Sequence, residues 1–174
     1  AHGVPKSYIE AGDPYQSHIR CCAALISLRV KQKLQEKVDA ATGGLSNMFW
    51  RKKVTIDVKL PGDTSSFSSP DKGEETLPLR CRLSFQSRVG PVEWLRPYTD
   101  DVLRDMGEKE GVQNLIVVPI SFVSEHIETL EEIDIECMEL AHKSGIKNWQ
   151  RASALNTYDR FIRDLADMIE DAAD

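Results

Sequence analysis

Three glutamates at four-residue spacing are the part of the sequence best suited to chemistry. Glu128, Glu132 and Glu136 follow an apolar stretch, and on a helix a step of four residues places their side chains on one face. If they were buried near a cavity, their pKa values would rise and diverge, and they could pass protons or hold a divalent cation. The plainer interpretation is an acidic helix start that complements the helix dipole.

Histidines accompany this acidic segment. His126 lies two residues before Glu128 and directly after Glu125, whereas His2 stands near the beginning of the sequence. A neutral imidazole can ligate a metal or accept a proton, although either histidine could equally be a hydrogen-bonded structural residue. The other two histidines fall in predicted helices among polar neighbours and are expected on the surface: His18 and His142.

Other kinds of site have little support in the sequence. It contains neither H-E-x-x-H, nor a glycine-rich phosphate loop, nor a nucleophile elbow. The four cysteines form no C-x-x-C pair, which argues against structural zinc and predicts reduced thiols in or near a core: Cys21, Cys22, Cys81 and Cys137. A reducing compartment fits that usage. A net charge of -6 argues against a nucleic-acid partner.

Alternating helix and strand patterns must position these residues. Asp13 is a typical N-cap before Pro14, and Gly111 is placed as a helix stop. The last helix, capped by Asn156 or Thr157, carries one apolar face. We predict helices over 14–37, 99–109 and 125–143 and strands over 82–87, 114–120 and 149–152.

This order of elements predicts an α/β fold with a parallel sheet and flanking helices, a Rossmann-like three-layer arrangement. The run Asn114–Ile120 is continuous and β-branched, which is typical of a strand buried on both faces. In such sheets ligands bind at the carboxyl ends of strands, where His2 and the Glu125–Glu136 segment are expected. With 174 residues, 41% of them hydrophobic, the chain is large and apolar enough to form the core of one domain.

The stretch at about 38–80 reads differently from the rest. It contains Gly43-Gly44, the polar run Gly62–Ser69 and the turn Pro70–Gly73. Only Val54–Leu60 alternates in the manner of a short strand. Because a structureless loop of this length is unusual inside a compact domain, we interpret it as a lineage-specific or mis-spliced insertion into one domain spanning 1–174.

Four blocks of sequence resemble the ferrochelatase family, most closely its plant type. They occur in the family's order over nearly the whole chain apart from the insertion, and the third resembles the family signature. The blocks are His2–Pro5 with Gly12–Tyr15, Phe85–Pro91 with Trp94, Leu95 and Pro97, Val118–Leu130, and Gly145–Trp149.

The resemblance implies a chelatase-like fold of two similar α/β domains, of which this chain would be the C-terminal one. Carried over residue by residue, His2 matches the family's active-site histidine and Glu128 the acidic partner across a porphyrin cleft. Glu132 and Glu136 match an acidic path to that partner, so His2 and these three glutamates form the implied metal-handling set. The resemblance also implies a helix start distorted toward a π-helix. Residues implied to line the substrate site are Trp94, Glu125 and His126.

The implied reaction is insertion of Fe2+ into protoporphyrin IX, the last step of haem biosynthesis. Binding energy would bend the macrocycle, while His2 and Glu128 deliver the ion and take up two protons. Fe2+ is then a substrate, no permanent cofactor is expected, and no iron–sulfur cluster is implied. A chelatase for another tetrapyrrole or metal is a second interpretation. A third is a non-catalytic fragment or splice product that binds only metal or a partner.

The resemblance carries expectations about partners and location as well. An N-terminal half of the same enzyme would supply the other wall of the cleft, and the chain alone would then have little activity. Plant-type similarity implies a chloroplast, with a mitochondrion as the alternative, and a peripheral association with a membrane.

Overall fold

The computed structural model describes residues 1–41, 53–59 and 76–173, and the chain divides into two compact units. The first unit comprises Ala1–Val4, Phe85–Val92 and Tyr98–Asp174, and the second comprises Pro5–Ser84 and Glu93–Pro97. The assignment of 1–174 to one domain stays a prediction.

The second unit consists of two helices and two strands. The helices are α1 (Lys6–Glu10) and α2 (Tyr15–Ala41), and the strands are β1 (Lys53–Lys59) and β2 (Thr76–Arg82). Helix α2 begins where the Asp13 carboxylate accepts a hydrogen bond from the Tyr15 N–H at 2.8 Å, which confirms the predicted cap. Strands β1 and β2 pair in parallel along their whole length.

The strand boundaries in this region differ from those predicted. β1 confirms the short strand expected at Val54–Leu60, whereas the strand predicted over 82–87 is wrong because β2 ends at Arg82. Beyond β2, Phe85 and Gln86 each make a single bridge to a different partner, so no continuous ladder forms there. Most of the predicted 38–80 insertion lies outside the described residues.

The first unit contains the remaining elements. Its two strands pair in parallel, with Asn114 opposite Asn148 and Val117 opposite Arg151. This arrangement confirms an α/β fold with a small parallel sheet flanked by helices. The elements are α3 (Thr99–Arg104), a π-helix π1 (Asp105–Lys109), β3 (Asn114–Val117), a π-helix π2 (Glu128–Cys137), α4 (Met138–Lys143), β4 (Asn148–Arg151) and α5 (Asp159–Ala173).

Two predicted helices have the expected positions but contain π-helical segments. The helix predicted over 99–109 has the right bounds, and Gly111 follows it with φ +65°, the left-handed conformation expected of a helix stop. Within the helix predicted over 125–143, the ten residues Glu128–Cys137 are π-helical, and the chain becomes α-helical only from Met138. The π-distortion that the family resemblance implied is therefore present.

A small apolar core holds the first unit together. It is formed by α3, π1, α4 and the segment before β4, and its members are Val102, Leu103, Met106, Ala141 and Ile146. Leu115 of β3 and Trp149 of β4 pack against this core from the sheet. Burial of each large apolar side chain stabilises the fold by roughly 1.5–3 kcal/mol. The core thus fixes the sheet whose strand ends carry the candidate site.

Two expectations are wrong and a third is confirmed only in part. Ile116 of β3 is 69% exposed, because within the described residues β3 pairs only with β4 and only its other face meets the core. Asn156 does not cap α5, which begins at Asp159; its side chain accepts a hydrogen bond from Glu125 instead. The cysteines are all free, as predicted, and Cys137 packs against the core, but Cys21 is exposed rather than in or near a core.

Two histidines and the apolar face of the last helix lie at the surface. His18 and His142 are exposed, as predicted. No buried residue occurs in α5, and its apolar side chains are exposed: Ile162, Leu165, Met168 and Ile169. Among the described helices, none combines the length and the apolar character needed to cross a membrane.

Candidate active site

His126 and Glu128 form the centre of the candidate site. His126 Nδ1 lies 2.7 Å from Glu128 Oε2, just where π2 begins, and both side chains are about one-third exposed. The pKa of Glu128 is lowered by its own backbone N–H, then by the charges of His126 and His2. Glu128 is therefore held as a carboxylate against an imidazole at a surface that solvent reaches.

His2 is brought to the same place by two contacts. Its backbone N–H donates to Ser121 Oγ at 2.7 Å, which fastens the chain segment to the loop after β3. Its ring meets the Phe122 ring edge-on, with centroids 5.7 Å apart, and Phe122 meets the His126 ring in the same way at 4.5 Å. Phe122 thus contacts both imidazoles and links the His2 segment to the beginning of π2.

The loop after β2 fastens the acidic helix. Gln86 Nε2 donates to the Glu128 carbonyl oxygen at 3.1 Å and to Glu132 Oε2 at 3.3 Å, and Ser87 Oγ donates to the same Glu132 oxygen at 2.6 Å. The Gln86 backbone also bridges to His2. One residue therefore connects the His2 segment to the beginning of π2.

The π-helical geometry decides how the glutamates follow one another. Hydrogen bonds in a π-helix run from residue i to i+5, so a step of four residues falls slightly short of a full turn and successive glutamates stay near one face. Glu132 is half-buried beneath the Ser87 loop, whereas Glu136 is exposed. Burial, together with the charges of Glu132 and Glu136, raises the pKa of the Cys137 thiol to about 11, so this cysteine is an inert thiol at neutral pH.

Hydrogen bonds between residues close in sequence stabilise the beginning of π2. The Thr129 hydroxyl accepts a hydrogen bond from the His126 N–H at 3.0 Å and donates to the His126 carbonyl oxygen at 2.9 Å. Thr129 is fully buried, and so is Ile133 one turn later. A residue reaching back three positions to the helix entrance satisfies donors that would otherwise have no partner, as in a capping box.

A second polar cluster lies beside the first. Arg151, at the end of β4, contacts Asp134 through two hydrogen bonds of 2.6 and 2.8 Å and Glu125 through one of 2.9 Å. The nearby Thr129 hydroxyl, then the Ala154 N–H and Arg151, lower the pKa of the Glu125 carboxyl to about 2. These same carboxylates raise the pKa of the Arg151 guanidinium, which stays charged.

The structure gathers most, but not all, of the predicted site residues. His2, His126, Glu128 and Glu132 are brought together, and Glu125 is turned instead toward Arg151. The predicted substrate-binding Trp94 belongs to the second unit, where its backbone bridges to Pro5.

No three His, Cys, Asp or Glu side chains of the described ranges converge as a metal-ligand set. The metal-handling roles of His2, Glu128, Glu132 and Glu136, and the substrate-binding roles of Trp94, Glu125 and His126, stay predictions.

Sequence reasoning missed the residues that support the site. Phe122, Gln86 and Ser87 stand in the blocks that resemble the family, but no role was predicted for them. Their signal is position, because each lies in the loop after a strand, within five residues of the strand end, and strand ends gather functional groups. Arg151 gave a similar signal as the last residue of β4.

The arrangement suits an ion and proton exchange. A carboxylate and an imidazole in contact offer two acceptors, and a neighbouring histidine offers a third. Borderline divalent ions accept both ligand types. Together the fold and the site define the class: an α/β protein with a carboxylate–imidazole pair at the start of a π-helix, beyond the end of a parallel strand.

Comparison with known proteins places the chain within that class. The family model described as Ferrochelatase matches residues 64–173, which include π2 and both strands of the β3–β4 sheet. A ferrochelatase of Prochlorococcus marinus (strain NATL2A) is 46% identical over 97% of this chain and 33% of its own length. One of Nostoc sp. is 44% identical over 99% of the chain and again 33% of its own length. The chain belongs to the ferrochelatase family and spans about a third of the length of the curated relatives it matches.

Proposed function

We propose that the protein containing this chain inserts Fe2+ into protoporphyrin IX to form protohaem, a lyase reaction of haem biosynthesis. The observation that carries the proposal is the 2.7 Å contact of His126 with Glu128 at the start of π2, with His2 close enough to influence the pKa of the same carboxylate. Membership of the ferrochelatase family supports the same reaction.

The reaction requires acceptors for two protons. Fe2+ replaces the two pyrrole N–H protons of the free porphyrin, so the balance is one ion bound and two protons released. His2 and Glu128 are assigned these protons, because an imidazole and an ionised carboxylate are both proton acceptors and the lowered pKa of Glu128 keeps it ionised before the reaction. Glu132 lies next along π2, fixed by Ser87, and is assigned to relay protons or the incoming ion.

The partners of this reaction are protoporphyrin IX and Fe2+, both as substrates. We assign the other wall of the porphyrin site to an N-terminal half of the same enzyme, and we expect no nucleic-acid partner. A peripheral association with a membrane, a location in the chloroplast and the absence of an iron–sulfur cluster are part of the proposal. The relatives named above are cyanobacterial, so microscopy of the tagged full-length protein must decide between chloroplast and mitochondrion.

The test is metal insertion followed by absorbance. Fe2+ or Zn2+ and protoporphyrin are given to the 174-residue chain alone and to a chimaera in which the chain replaces the matching third of the Nostoc ferrochelatase. We expect insertion by the chimaera and little by the chain alone. Both His2→Ala and Glu128→Gln should lower the rate at least about 100-fold, the usual contribution of a general acid or base.

Glu139→Gln is the matched control. This carboxylate is exposed on α4 and contacts Lys143, so its loss should leave the rate unchanged. A folded chimaera that inserts no metal would contradict the proposal and favour a non-catalytic fragment. Insertion of Co2+ with another tetrapyrrole, in place of Fe2+ with protoporphyrin, would favour a related chelatase.

A further inference from the structure

Arg151 at the end of β4 holds the segment that leads into π2 by hydrogen bonds and ion pairs. Arg151 is only 11% exposed in its side chain, and its guanidinium forms a two-pronged pair with Asp134 and a third hydrogen bond to Glu125. Asp134 lies in the middle of π2, and Glu125 lies just before its start. A single rigid cation therefore connects the helix interior to the helix entrance.

Two residues after β4 add further hydrogen bonds to this segment. The Ala154 N–H donates to the same Glu125 carboxylate oxygen at 2.8 Å. Asn156 Oδ1 accepts from the Glu125 N–H at 3.0 Å, and the Asn156 N–H donates to the Val123 carbonyl oxygen at 2.7 Å. We call Arg151, Ala154 and Asn156 the β4 clasp.

The β4 clasp holds a part of the chain that has no regular secondary structure of its own. Residues 124–126 belong to neither strand nor helix, and His126 directly follows Glu125. The direction of the His126 ring depends on the backbone at its own position, which is fixed on one side by Thr129 and on the other by Glu125. Rotation of the Glu125 backbone would turn His126 away from Glu128.

We propose that Arg151 is a positioning residue for the reaction: by holding Glu125 and Asp134 together it keeps His126 against Glu128. This inference rests on the proposed function for its catalytic consequence, but not for the positioning itself. Arginine is required because its planar fork can contact two carboxylates in fixed directions, which the single ammonium of lysine cannot do.

Activity provides the first test, in the chimaera described above. Arg151→Lys keeps the charge and removes the fork. We expect kcat to fall about 10- to 100-fold with KM values within about twofold, since misplacement of reacting groups by a fraction of an ångström has effects of this order. The matched control is Arg163→Lys in α5, whose ion pair with Asp159 is 75% exposed on the arginine side.

Stability must be measured alongside, because Arg151 also contributes to folding. Each variant is assayed well below its own melting temperature, and kcat is expressed per folded molecule. A kcat of Arg151→Lys equal to that of the wild type, or a fall that only follows the folded fraction, would overturn the proposal.

Hydrogen exchange tests the positioning without any catalysis, in the chain alone and in the chimaera. In Arg151→Lys the amides of Glu125, His126 and Ala154 should exchange at least about tenfold faster, while the core amide of Ile146 stays as protected as before. Unchanged exchange at Glu125 and His126 would contradict the proposal. Faster exchange together with an inactive wild-type chimaera would leave the clasp established and the proposed function wrong.

Discussion

The two π-helices of the first unit are built from similar residues but are held in different ways. π1 has five residues, and its charges meet at the surface, where Lys109 Nζ lies 2.6 Å from Asp105. π2 has ten residues, and two of its carboxylates contact residues far away in sequence: Glu132 contacts Ser87 and Asp134 contacts Arg151. The acidic composition is shared, whereas the partners are local in π1 and distant in π2.

The different partners of π1 and π2 indicate two physical reasons for forming a π-helix. π-helical turns are rare and less favourable than α-helical ones, so something outside the helix must favour them. In π1 this is packing, because Gly107 lies directly against the backbone of Ser144. In π2 it is a set of polar contacts that place His126 and Glu128 side by side. Only the second arrangement brings together residues of the candidate site.

The largest expected effect is at the packing contact of π1. A Cβ added to Gly107 would lie 2.8 Å from Ser144 Cβ and closer still to the Ser144 carbonyl oxygen. Because the obstacle is mainly backbone, Gly107→Ala should lower the free energy of unfolding by about 3 kcal/mol, at the upper end for overpacked sites. Urea unfolding of the chain measures this change.

The neighbouring Glu108→Ala is the control for that variant. Glu108 is exposed in the same π-helix, and its replacement should change the free energy of unfolding by less than about 0.5 kcal/mol. An equally small loss in Gly107→Ala would mean that the close approach to Ser144 does not determine π1.

The next effect is at a polar contact of π2. Ser87→Ala removes the 2.6 Å hydrogen bond to Glu132 and should cost about 1–2 kcal/mol, the range for a bond to a charged group that is partly exposed. Thermal and urea unfolding measure the loss. Unaltered stability would show that π2 does not depend on the loop after β2.

Comparison of Ser87→Gly with Ser87→Ala distinguishes the contribution of the lost hydrogen bond to stability from that of the backbone conformation. Ser87 has φ +64°, a left-handed conformation that glycine adopts without strain. Ser87→Gly should therefore be less destabilising than Ser87→Ala by roughly 0.5–1 kcal/mol, although both lack the hydroxyl. The opposite order would mean that the positive φ contributes nothing to the loss.

Local chemistry made part of this structure predictable. The Asp13 cap, the Gly111 stop and the joint bounds of α3 and π1 follow from residues within one or two turns. The family resemblance added the π-distortion and the residues that meet at the site. The polar partners of π2 could not be found this way, since Glu132 and Ser87 are 45 positions apart and Asp134 and Arg151 are 17 apart.

Errors arose where one residue had two possible partners. Asn156 has the chemistry of a helix cap, but its side chain meets the Glu125 N–H, so α5 begins later. The end of β2 was misplaced because Phe85 and Gln86 continue the alternation of apolar and polar residues typical of a strand, yet each pairs with a different neighbour. Pattern alone does not choose between such partners.

The effect that depends on pH is the response of the π2 entrance to acid. The pKa of Glu125 is lowered from 4.5 to about 2, so the unfolded state binds more protons than the folded state between these values. Stability from this group is complete above about pH 4.5 and is lost as the pH falls toward 2. Glu125→Gln should therefore flatten the dependence of the unfolding free energy on pH in that window. Glu139→Gln, which removes an exposed carboxylate of α4 with no contact to the clasp, should leave the slope nearly as it was. Parallel curves for wild type and Glu125→Gln would show that the clasp does not hold Glu125 in its charged form, and the contrast between the two π-helices would then rest on Glu132 and Asp134 alone.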